Sequence, residues 1–533
     1  MKKLFVTILM VSAGLTGLEA QQLTILHTND THSHIDAEKG VGGVLQRQAL
    51  IDSVRAADKN VLLIDAGDAV QGSLYFNLFK GAVEYPLMDL MGYDVQILGN
   101  HEFDNGLESL ARYFPNLKSA RLSANYDFTG TPLEGVFQPY VIREFDGKKV
   151  GIFGINLNPE GIIADSNYKG MGFSDIISTA NKTADYLRDK KHCDLVVMVS
   201  HIGYDNDGNP NLVTDPEVAR ASKNIDIIVG GHSHTLVDPA AENPLSSRFK
   251  NRDGKEVLVV QTGRYGGSLG EIKVDLKKPR KAQYSLLPVR NVDPKRFDPR
   301  IVEFLKPYRH EIDSIMVRPV AVSAADMKNT KQYATSAAIT NLSCDMAQWY
   351  GNLKLDSLSR AGQKLPSRSD LKFPSRSDLA VMNSGGVRMP WAKGVVTEGQ
   401  VLSTFPFPNK FVVVEMDGRS LAELLAQIAE LGSQGVSAEV RIAFDSASKK
   451  AEGFTVSGEP VSPDRLYYVT TIDYLATGGD YLTAFKKGRI VWTDTDDMCA
   501  PVMRYVTDQT GQHLPLGTDP SPRIVPAISL PEE

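Results

Sequence analysis

The sequence predicts an α/β protein of two domains joined by a helix. The chain has 533 residues, which is more than one hydrophobic core normally holds. Its first half alternates apolar, β-branched runs with segments whose apolar residues recur every three or four positions. Hydrophobic residues make up 42% of the chain and charged residues 23%, which is typical of a globular protein.

Five apolar runs in the first half are predicted to be buried strands. Segments with helical periodicity separate them, and "GGVLQRQALIDSVRAADK" and "DIISTANKTADYLRDKK" are two examples. This alternation favours a first α/β domain, which we place at 21–297. The predicted strands are "LTILH", "VLLID", "DVQIL", "DLVVMVS" and "IDIIVG".

A connecting helix is predicted at 298–317, and the alternative is that this segment is the last helix of the first domain. Its apolar residues fall on one helical face despite Pro307. A second α/β domain is predicted at 318–533, with strand-like segments "DLAVMNSGG", "FVVVEMDG" and "RLYYVTTIDYLATGGD". The helical face consists of Ile301, Phe304, Leu305, Tyr308, Ile312 and Ile315.

Residues 1–20 have the layout of a secretory signal. Two lysines precede an apolar stretch that is short for a membrane span, and small residues follow it. We expect cleavage near Ala20, no stable membrane anchor, and export to a bacterial periplasm or the extracellular space. The alternative is a first buried helix.

Charge and cysteine content exclude two kinds of protein. The net charge of -6, with the two signs interspersed, gives no basic stripe for a nucleic-acid polymer, although a local site for a small anion remains compatible. The three cysteines, Cys193, Cys344 and Cys499, are too few and odd in number for a stabilising disulfide framework.

A polar cluster follows each of the five predicted strands. Because ligands bind at the carboxyl ends of strands in α/β sheets, we expect the five clusters to meet at one place. Seven of the ten histidines lie in them. The clusters are "HTNDTHSH", "AGDAVQG", "GNHEFD", "SHIG" and "GGHSH".

These clusters predict a metal centre. One ion normally accepts about four to six ligands, so seven donors indicate two ions that share a carboxylate, for which we choose Asp68. Oxygen and imidazole donors without a thiolate favour zinc, manganese, iron or cobalt. The predicted donors are Asp30, His32, Asp68, Asn100, His201, His232 and His234.

A pair of divalent ions predicts hydrolysis of a phosphate ester. Two ions about 3.5–4 Å apart clamp the attacking and leaving oxygens and lower the pKa of the water between them, which becomes the nucleophile. Asn100 would give an oxygen to one ion and leave His101 facing the substrate. Asp104 would hydrogen-bond His101 and favour its protonated form, which would stabilise the phosphoryl charge or protonate the leaving oxygen.

At these motifs the chain resembles the calcineurin-like metallophosphoesterases, and within them the secreted 5'-nucleotidase family of bacterial UDP-sugar hydrolases and animal ecto-5'-nucleotidase. The resemblance implies a β-sandwich flanked by helices (αββα), followed by a C-terminal α/β domain that recognises the nucleotide. The family blocks D-x-H, G-D, G-N-H-E, S-H and G-H-x-H stand here at Asp30–His32, Gly67–Asp68, Gly99–Glu102, Ser200–His201 and Gly231–His234.

The resemblance extends to "MNSGGVR", "FPFPN" and "YLATGGD" in the second half, and it implies a nucleoside pocket there. By that match Phe407 and Tyr474 sandwich the base, Asp480 accepts hydrogen bonds from the ribose, and Asn383 and Arg388 supply polar contacts. Stacking between two rings tolerates different bases, and arginine suits anionic groups.

One segment departs from the family pattern. Relatives often carry an arginine where this chain reads "KQYATSAAITNLSCDM". The candidates to replace the charge of this arginine are Lys328, Lys331 and a tandem octapeptide, "KLPSRSDL" followed by "KFPSRSDL". We expect the octapeptides to form a duplicated surface loop, and the sharper hypothesis is that Arg368 or Arg376 contacts the substrate.

We therefore expect an exported monomer or homodimer that binds two divalent ions (zinc, manganese or cobalt) and hydrolyses nucleoside 5'-monophosphates. Cleavage of a UDP-sugar pyrophosphate or of a 2',3'-cyclic nucleotide is the alternative within the enzyme class. A nucleotide-binding surface protein with a vestigial metal site would lack donors, and none of the seven is missing. A sulfur-oxidation hydrolase of the same plan would lack the nucleoside pocket.

Overall fold

The structure is a computed structural model that describes residues 22–206, 212–329, 338–366, 368–432, 434–445, 447–448, 450–512, 515–517 and 523–526. The predicted signal at 1–20 and Lys331 lie outside these residues. Among the helices of the described ranges, none is long and apolar enough to cross a membrane.

Two six-stranded sheets pack face to face in the first domain. Each mixes parallel and antiparallel neighbours. In spatial order, the first sheet contains Gln283–Pro288, Ser268–Asp275, Gln22–Thr28, Val61–Asp65, Val95–Gln96 and Ala120–Arg121. The second sheet contains Arg248–Lys250, Glu256–Val260, Ile227–Val229, Leu195–His201, Lys148–Asn156 and Tyr140–Phe145.

Both faces of these strands are buried. Ile25 and Val197 point into the core between the two sheets, whereas Leu26 and Met198, one position later, pack under the outer helices. This is why the strands are continuous apolar runs rather than alternating ones. The five predicted strands are confirmed, although the third shrinks to Val95–Gln96.

Helices cover the outer faces, so the predicted αββα sandwich is confirmed. The segments predicted as helices form Val44–Ala57 and Ile176–Asp185. The other α-helices in the described part of the first domain are Leu74–Phe79, Glu84–Met91, Gly106–Tyr113 and Asp215–Ala221.

A helix spans Pro299–Met316, within the segment predicted as the connector. The Asp298 side chain accepts a hydrogen bond from the backbone of Arg300, and proline at the first helical position needs no hydrogen-bond partner. Ile301 and Leu305 are fully buried in the core of the first domain. The helix is therefore anchored on the first domain before the chain enters the second.

The second domain contains a mixed five-stranded sheet and a four-stranded sheet. The first has the order Gln434–Val436, Leu379–Asn383, Leu466–Ile472, Lys410–Asp417 and Arg489–Asp497. The second has the order Glu459–Pro460, Lys450–Val456, Val440–Asp445 and Ile524–Pro526. The helices are Ala338–Arg360, Glu398–Thr404, Gly418–Leu431, Asp473–Ala476 and Cys499–Gly511.

Three two-stranded ribbons complete the described structure. One lies in the first domain and two lie in the second. They pair Tyr126–Asp127 with Gly172–Phe173, Pro319–Ser323 with Gly394–Thr397, and Lys364–Leu365 with Arg368–Lys372.

The two octapeptides do not form equivalent structures. Leu365 and Phe373, the pair at which they differ, are both buried in one small cluster. Leu371 ends the first copy and is 41% exposed, whereas its counterpart Leu379 is fully buried at the start of the central sheet. The prediction of a duplicated surface loop is thus wrong for the second copy, because its end is part of the core.

Candidate active site

The five polar clusters follow strands of both sheets and meet at one edge of the sandwich. Asp30, Asp68 and Asn100 follow strands of the first sheet, and His201 and His232 come from the second. The predicted convergence is therefore confirmed, but it joins two facing sheets rather than one.

Asp30 and Asp68 form the buried centre of this cluster. Asp30 Oδ1 lies 3.5 Å from His234 Nε2 and 3.9 Å from His32 Nε2. It is also 3.9 Å from His201 Nε2. Asp68 Oδ2 lies 3.1 Å from His201 Nε2 and 3.9 Å from His32 Nε2. Each carboxylate is thus within reach of more than one imidazole.

Two closer pairs extend the cluster on either side. His32 Nε2 and His234 Nε2 are 2.9 Å apart. On the other side, His232 Nδ1 lies 2.9 Å from Asn100 Oδ1, and the His232 amide donates to Asp30. The structure therefore brings all seven predicted donors together.

The tautomer of His201 shows that this cluster fits a cation. His201 Nδ1 donates to the carbonyl of Ala66 at 2.7 Å, so Nε2 of the neutral ring carries a lone pair. That lone pair faces Asp68 Oδ2, and both side chains are buried. Two electron-rich atoms this close in the interior require a positive charge between them, from a proton or a metal ion.

In the absence of a metal ion, a proton on His201 supplies the positive charge that the His201–Asp68 pair requires. Burial raises the pKa of Asp30 to about 7 and lowers the pKa values of His232 and His234 to about 3 and about 4. Burial also opposes protonation of His201, but Asp68 raises its pKa to about 10. Most of the imidazoles are therefore neutral, as metal ligation requires.

The backbone of the donor loops is strained. Five donors have φ in the left-handed region, which residues with a side chain seldom adopt. Two glycines let the loops approach each other: Gly67 has φ 88°, and a Cβ at Gly99 would lie 2.2 Å from Asp68 Oδ1. The strained donors are Asp30 (49°), His32 (48°), Asp68 (54°), His232 (82°) and His234 (55°).

Glu102 is a positioning residue that the sequence analysis did not assign. Its buried carboxylate accepts hydrogen bonds from the backbone amides of Asp68 (2.9 Å), Ala69 (2.9 Å) and Gly99 (2.5 Å). It thereby joins the two loops that carry Asp68 and Asn100. Its place inside the G-N-H-E block was the signal that could have identified it.

We expect Glu102→Gln to lower the free energy of unfolding at about pH 9 by about 1.5–3 kcal/mol, because an amide cannot replace a carboxylate that accepts three amide hydrogens. The alkaline pH is needed because burial and the nearby Asp68 raise the pKa of Glu102 to about 8. Urea denaturation in the presence of a chelator measures this effect without metal binding. Glu108→Gln is the control, since Glu108 is exposed on the next helix. Equal stability of the two variants would contradict the assignment.

His101 and Asp104 form a pair beside the cluster. The short helix His101–Phe103 places Asp104 on the same side as His101, and His101 Nδ1 donates to Asp104 Oδ2 at 3.0 Å. Burial lowers the pKa of His101, but Asp104 and Asp68 more than offset this and raise it. Both side chains keep some exposure, 18% and 16%. The pair can therefore exchange a proton with a bound molecule.

A cavity of about 240 Å³ opens between the two domains next to His101. Both residues of the predicted pair and all five predicted nucleoside-binding residues line it. From the first domain come Asn100, His101, Asp104, Ile162, Ile163, Ala164 and Asn167. From the second come Asn383, Gly385, Gly386, Arg388, Phe407, Pro408, Asn409, Tyr474 and Asp480.

Asp480 is held in place by its neighbours in this cavity. Its carboxylate accepts hydrogen bonds from Tyr474 Oη (2.8 Å), Asn383 Nδ2 (2.8 Å) and Gln434 Nε2 (3.3 Å). Its backbone also adopts a left-handed φ of 50°. The carboxylate thus has a fixed orientation at the cavity wall.

Phe407 connects the cavity to the metal-donor cluster. Its ring centre is 6.0 Å from that of His101, and the Arg388 guanidinium carbon lies 5.0 Å from the Phe407 ring centre. A cation and two rings from different domains therefore meet where the cavity reaches the cluster.

The proposed replacements for the missing arginine do not line this cavity. Lys328, Arg368 and Arg376 are absent from its walls, and Lys331 lies outside the described residues. Arg368 instead forms an ion pair of 3.1 Å with the buried Glu415. The hypothesis that Arg368 contacts the substrate is therefore not supported, because its guanidinium is engaged in the second domain.

Other residues at the site carry no recognisable motif. Ile162 and Ile163 line the cavity from a loop of the first domain, where apolar residues have no periodic pattern. Asn167 donates to the Asp104 carbonyl at 3.1 Å. Arg264 lies 3.4 Å from His234 Nδ1 and stacks on Tyr265.

Two family models match consecutive parts of the chain. Residues 23–236 match the calcineurin-like phosphoesterase model. Residues 319–487 match the model of the 5'-nucleotidase C-terminal domain.

Individual relatives match most of the chain. The chain is 29% identical to a 5'-nucleotidase of Vibrio vulnificus, over 86% of this chain and 85% of that one. It is 26% identical to the trifunctional nucleotide phosphoesterase YfkN of Bacillus subtilis, over 87% of this chain, but spans only 32% of that longer protein.

A solved structure extends the similarity to nearly the whole chain. The 5'-nucleotidase precursor of Thermus thermophilus is 28% identical, with a TM-score of 0.75 over 96% of this chain and 100% of that one. The two models, the relatives and the shared fold lead to one conclusion: the chain belongs to the 5'-nucleotidase family, with a calcineurin-like phosphoesterase domain followed by a 5'-nucleotidase C-terminal domain.

Proposed function

We propose that the protein is a metal-dependent phosphohydrolase that converts nucleoside 5'-monophosphates to nucleosides and phosphate. The observation that carries this proposal is the continuity between the metal-donor cluster and the cavity. Asn100 and His101 belong to both, so a nucleoside in the cavity directs its 5'-phosphate at the cluster.

Two divalent ions, zinc, manganese or cobalt, would occupy the cluster. Asp30, His32 and His234 lie close enough to hold one of them. We assign the other to Asn100, His201 and His232, with Asp68 shared, because His232 lies beside both Asn100 and His201. Bound there, such ions supply Lewis acidity and a nucleophilic water at neutral pH. The short His32–His234 and His201–Asp68 distances support this division.

Stabilisation of charge and donation of a proton at the phosphoryl group would depend on His101, Asp104 and Arg388. His101 holds its Nδ1 proton toward Asp104, which leaves Nε2 to face the substrate. In its protonated form it neutralises charge on the phosphoryl oxygens or gives its proton to the departing 5'-oxygen. Arg388 adds a permanent positive charge where the cavity meets the cluster.

The nucleoside would bind between the aromatic side chains of the second domain. Phe407 and Tyr474 line the cavity and offer ring faces to a base, which favours stacking without strict base preference. Asp480 offers oriented carboxylate oxygens to the ribose hydroxyls, and Asn383 fixes that carboxylate.

Phe407→Ala tests this arrangement. Loss of one stacking partner is expected to raise KM for UMP by about 5- to 150-fold, equivalent to about 1–3 kcal/mol, with a smaller effect on kcat. Tyr474→Phe is the matched control, since it keeps the second ring and removes only the two hydrogen bonds between the Tyr474 hydroxyl and Asp480. A KM unchanged by Phe407→Ala would place the base elsewhere.

The proposed location is outside the cytoplasm, in a bacterial periplasm or the extracellular space. Support comes from the lysine-initiated apolar leader at 1–20, with small residues before Ala20. Amino-terminal sequencing of the exported protein would show a start close to Gln21, and an intact leader would contradict the proposal.

Phosphate release and product analysis with AMP, UMP, UDP-glucose and 2',3'-cyclic AMP test the proposed activity. We expect nucleoside and phosphate from AMP or UMP, lost on chelation and restored by manganese or zinc. Turnover confined to UDP-glucose or to the cyclic nucleotide would favour the alternative substrates. No turnover of the four by metal-loaded protein would favour a substrate that is not a nucleotide, whereas failure to bind metal would favour a nucleotide-binding protein with a vestigial metal site.

A further inference from the structure

Glu84 is a buried carboxyl group that the proposed reaction does not use. It is the first residue of the helix Glu84–Met91 and is 2% exposed. Its Oε1 is in hydrogen-bond contact with the Ser33 hydroxyl, and its Oε2 has no hydrogen-bond partner in the described structure. Ser33 directly follows His32, one of the predicted metal donors. Glu84 therefore reaches the loop of a metal donor through one side chain.

The Ser33 hydroxyl also connects Glu84 to a second serine. Ser33 Oγ lies 2.7 Å from Ser73 Oγ, and Ser73 Oγ lies 2.7 Å from the carbonyl oxygen of Ser33. Ser73 is the N-cap of the helix Leu74–Phe79. These three contacts form a chain that joins the donor loop to the starts of two helices.

The number of available hydrogens determines the direction of the hydrogen bonds in this chain. The two serine hydroxyls supply two hydrogens, but the chain has three contacts. The Ser33 carbonyl can only accept, and an ionised Glu84 could only accept as well. An ionised Glu84 would therefore leave one pair of oxygens without a hydrogen between them. A neutral Glu84 donates the third hydrogen to Ser33, so that Ser33 donates to Ser73 and Ser73 donates to the carbonyl.

The burial of Glu84 agrees with a neutral carboxyl group. Desolvation raises its pKa to about 7, because it outweighs the hydrogen bonds that would favour the anion. An oxygen without a partner, such as Oε2, also costs less on a neutral group than on a buried charge.

The donor loop needs a restraint because its backbone is strained. Ser33 has φ 56° and His32 has φ 48°, both in the left-handed region. Residues with a side chain keep such a conformation only where their surroundings fix it. The Ser33 amide donates to the Ala69 carbonyl at 2.9 Å, and the chain from Glu84 fixes the Ser33 side chain.

We propose that neutral Glu84 is a positioning residue, which donates a hydrogen bond to Ser33 and thereby holds His32 in place to bind metal. The inference rests on the proposed function, since it concerns the ion assigned to Asp30, His32 and His234. Without the chain the strained loop relaxes, and the affinity for this ion falls. The other ion is affected less, because its donors lie on other loops.

A metal-binding titration compares two replacements of Glu84. Glu84→Gln keeps the shape and a hydrogen-bond donor, whereas Glu84→Met has a similar volume and no donor. Manganese binding to chelator-treated protein is measured by calorimetry. We expect Glu84→Met to bind one of two ions about 10- to 100-fold more weakly than the wild type, and Glu84→Gln to stay within about threefold. Equal affinities in all three proteins would overturn the positioning role.

Ser33→Ala repeats the test and keeps the buried acid, so it also serves if Glu84→Met does not fold. It removes the hydroxyl that joins Glu84 to Ser73, and the same selective loss of one ion is expected. Ser53→Ala, on the helix Val44–Ala57, is the matched control. Manganese affinity that is the same in the two alanine variants would contradict the proposal.

Infrared spectroscopy tests the direction of the Glu84–Ser33 hydrogen bond. The difference spectrum between the wild type and Glu84→Gln at pH 6 isolates this carboxyl group from the other buried acids. We expect the variant to lose a C=O stretching band of a protonated carboxyl group. Loss of a carboxylate band instead would show that Glu84 is ionised and would overturn its assignment as a donor.

The wild-type titration separates this inference from the proposed function. Two ions bound with the same affinities by the wild type, Glu84→Met and Ser33→Ala would overturn the inference and leave the proposed function intact. Wild-type protein that binds neither manganese nor zinc would overturn the proposed function itself.

Discussion

Asp68→Asn is expected to reduce phosphate release from UMP by about a thousandfold or more, equivalent to about 4 kcal/mol of transition-state stabilisation. Asp68 Oδ2 is the acceptor that lies between His201 and His32, while Oδ1 is held by the His101 amide at 2.8 Å. An amide presents one neutral oxygen instead of a shared anionic one, so both proposed ions lose a ligand.

Activity and metal content per chain, measured on the same sample, check this expectation. Asp94→Asn is the control, because Asp94 lies at the opposite end of the same sheet and accepts the Leu63 amide at 2.8 Å. If the Asp68→Asn variant kept its full metal content and turnover, Asp68 would not be the carboxylate that the two ions share.

His101→Ala is expected to lower kcat by about 10²–10⁴-fold while metal content stays close to that of the wild type. The physical reason is that His101 hydrogen-bonds Asp104 at 3.0 Å and lines the cavity, so it faces the substrate more than the metal donors. Its ring also lies within reach of His32 and Asp68, which makes metal content the decisive second readout. Loss of metal in this variant would make His101 a ligand.

The pH profile of Asp104→Asn isolates the second member of the pair. Asp104 raises the pKa of His101 against the opposing effect of burial, so the protonated ring persists to higher pH in the wild type. Activity that depends on this proton is present below the raised pKa and falls as pH rises through it. Removal of the carboxylate is expected to move that fall to lower pH, and an unchanged profile would contradict a role for protonated His101.

The strands and the donor set were predictable from sequence because both leave a strong local signal. Val61–Asp65 has the predicted bounds, since a strand buried on both faces is an uninterrupted apolar run. Each donor follows such a run directly, as in Asp68 after Val61–Asp65 and His201 at the end of Leu195–His201. The pattern does not tell which strands share a sheet, so the division between two facing sheets required the structure.

The nucleoside cavity was predictable only through the family resemblance. Phe407 and Tyr474 are aromatic residues in an apolar domain, and their spacing does not distinguish a cavity wall from a core. Gln434 donates a hydrogen bond to the Asp480 carboxylate, and Asn167 donates one to the Asp104 carbonyl, although each donor comes from a distant segment of the chain. No motif marks Gln434 or Asn167. Contacts of this kind depend on domain packing, which sequence periodicity does not encode.

The tandem octapeptide shows how the same local sequence can take different structures. Arg368 in the first copy pairs with Glu415, and Asp378 in the second accepts the backbone amide of Tyr468 at 2.8 Å. Sequence alone assigned both copies to the surface because each is rich in polar residues. The end of the second copy is buried because it is the first residue of the buried central strand Leu379–Asn383.

Metal dependence is the central claim, and a titration tests it most directly. Protein stripped of metal by a chelator is supplied with manganese or zinc in steps, and phosphate release from UMP is measured at each step. The account predicts no release without metal and a plateau at about two ions per chain. Phosphate release that persists in protein shown to be free of metal would contradict it.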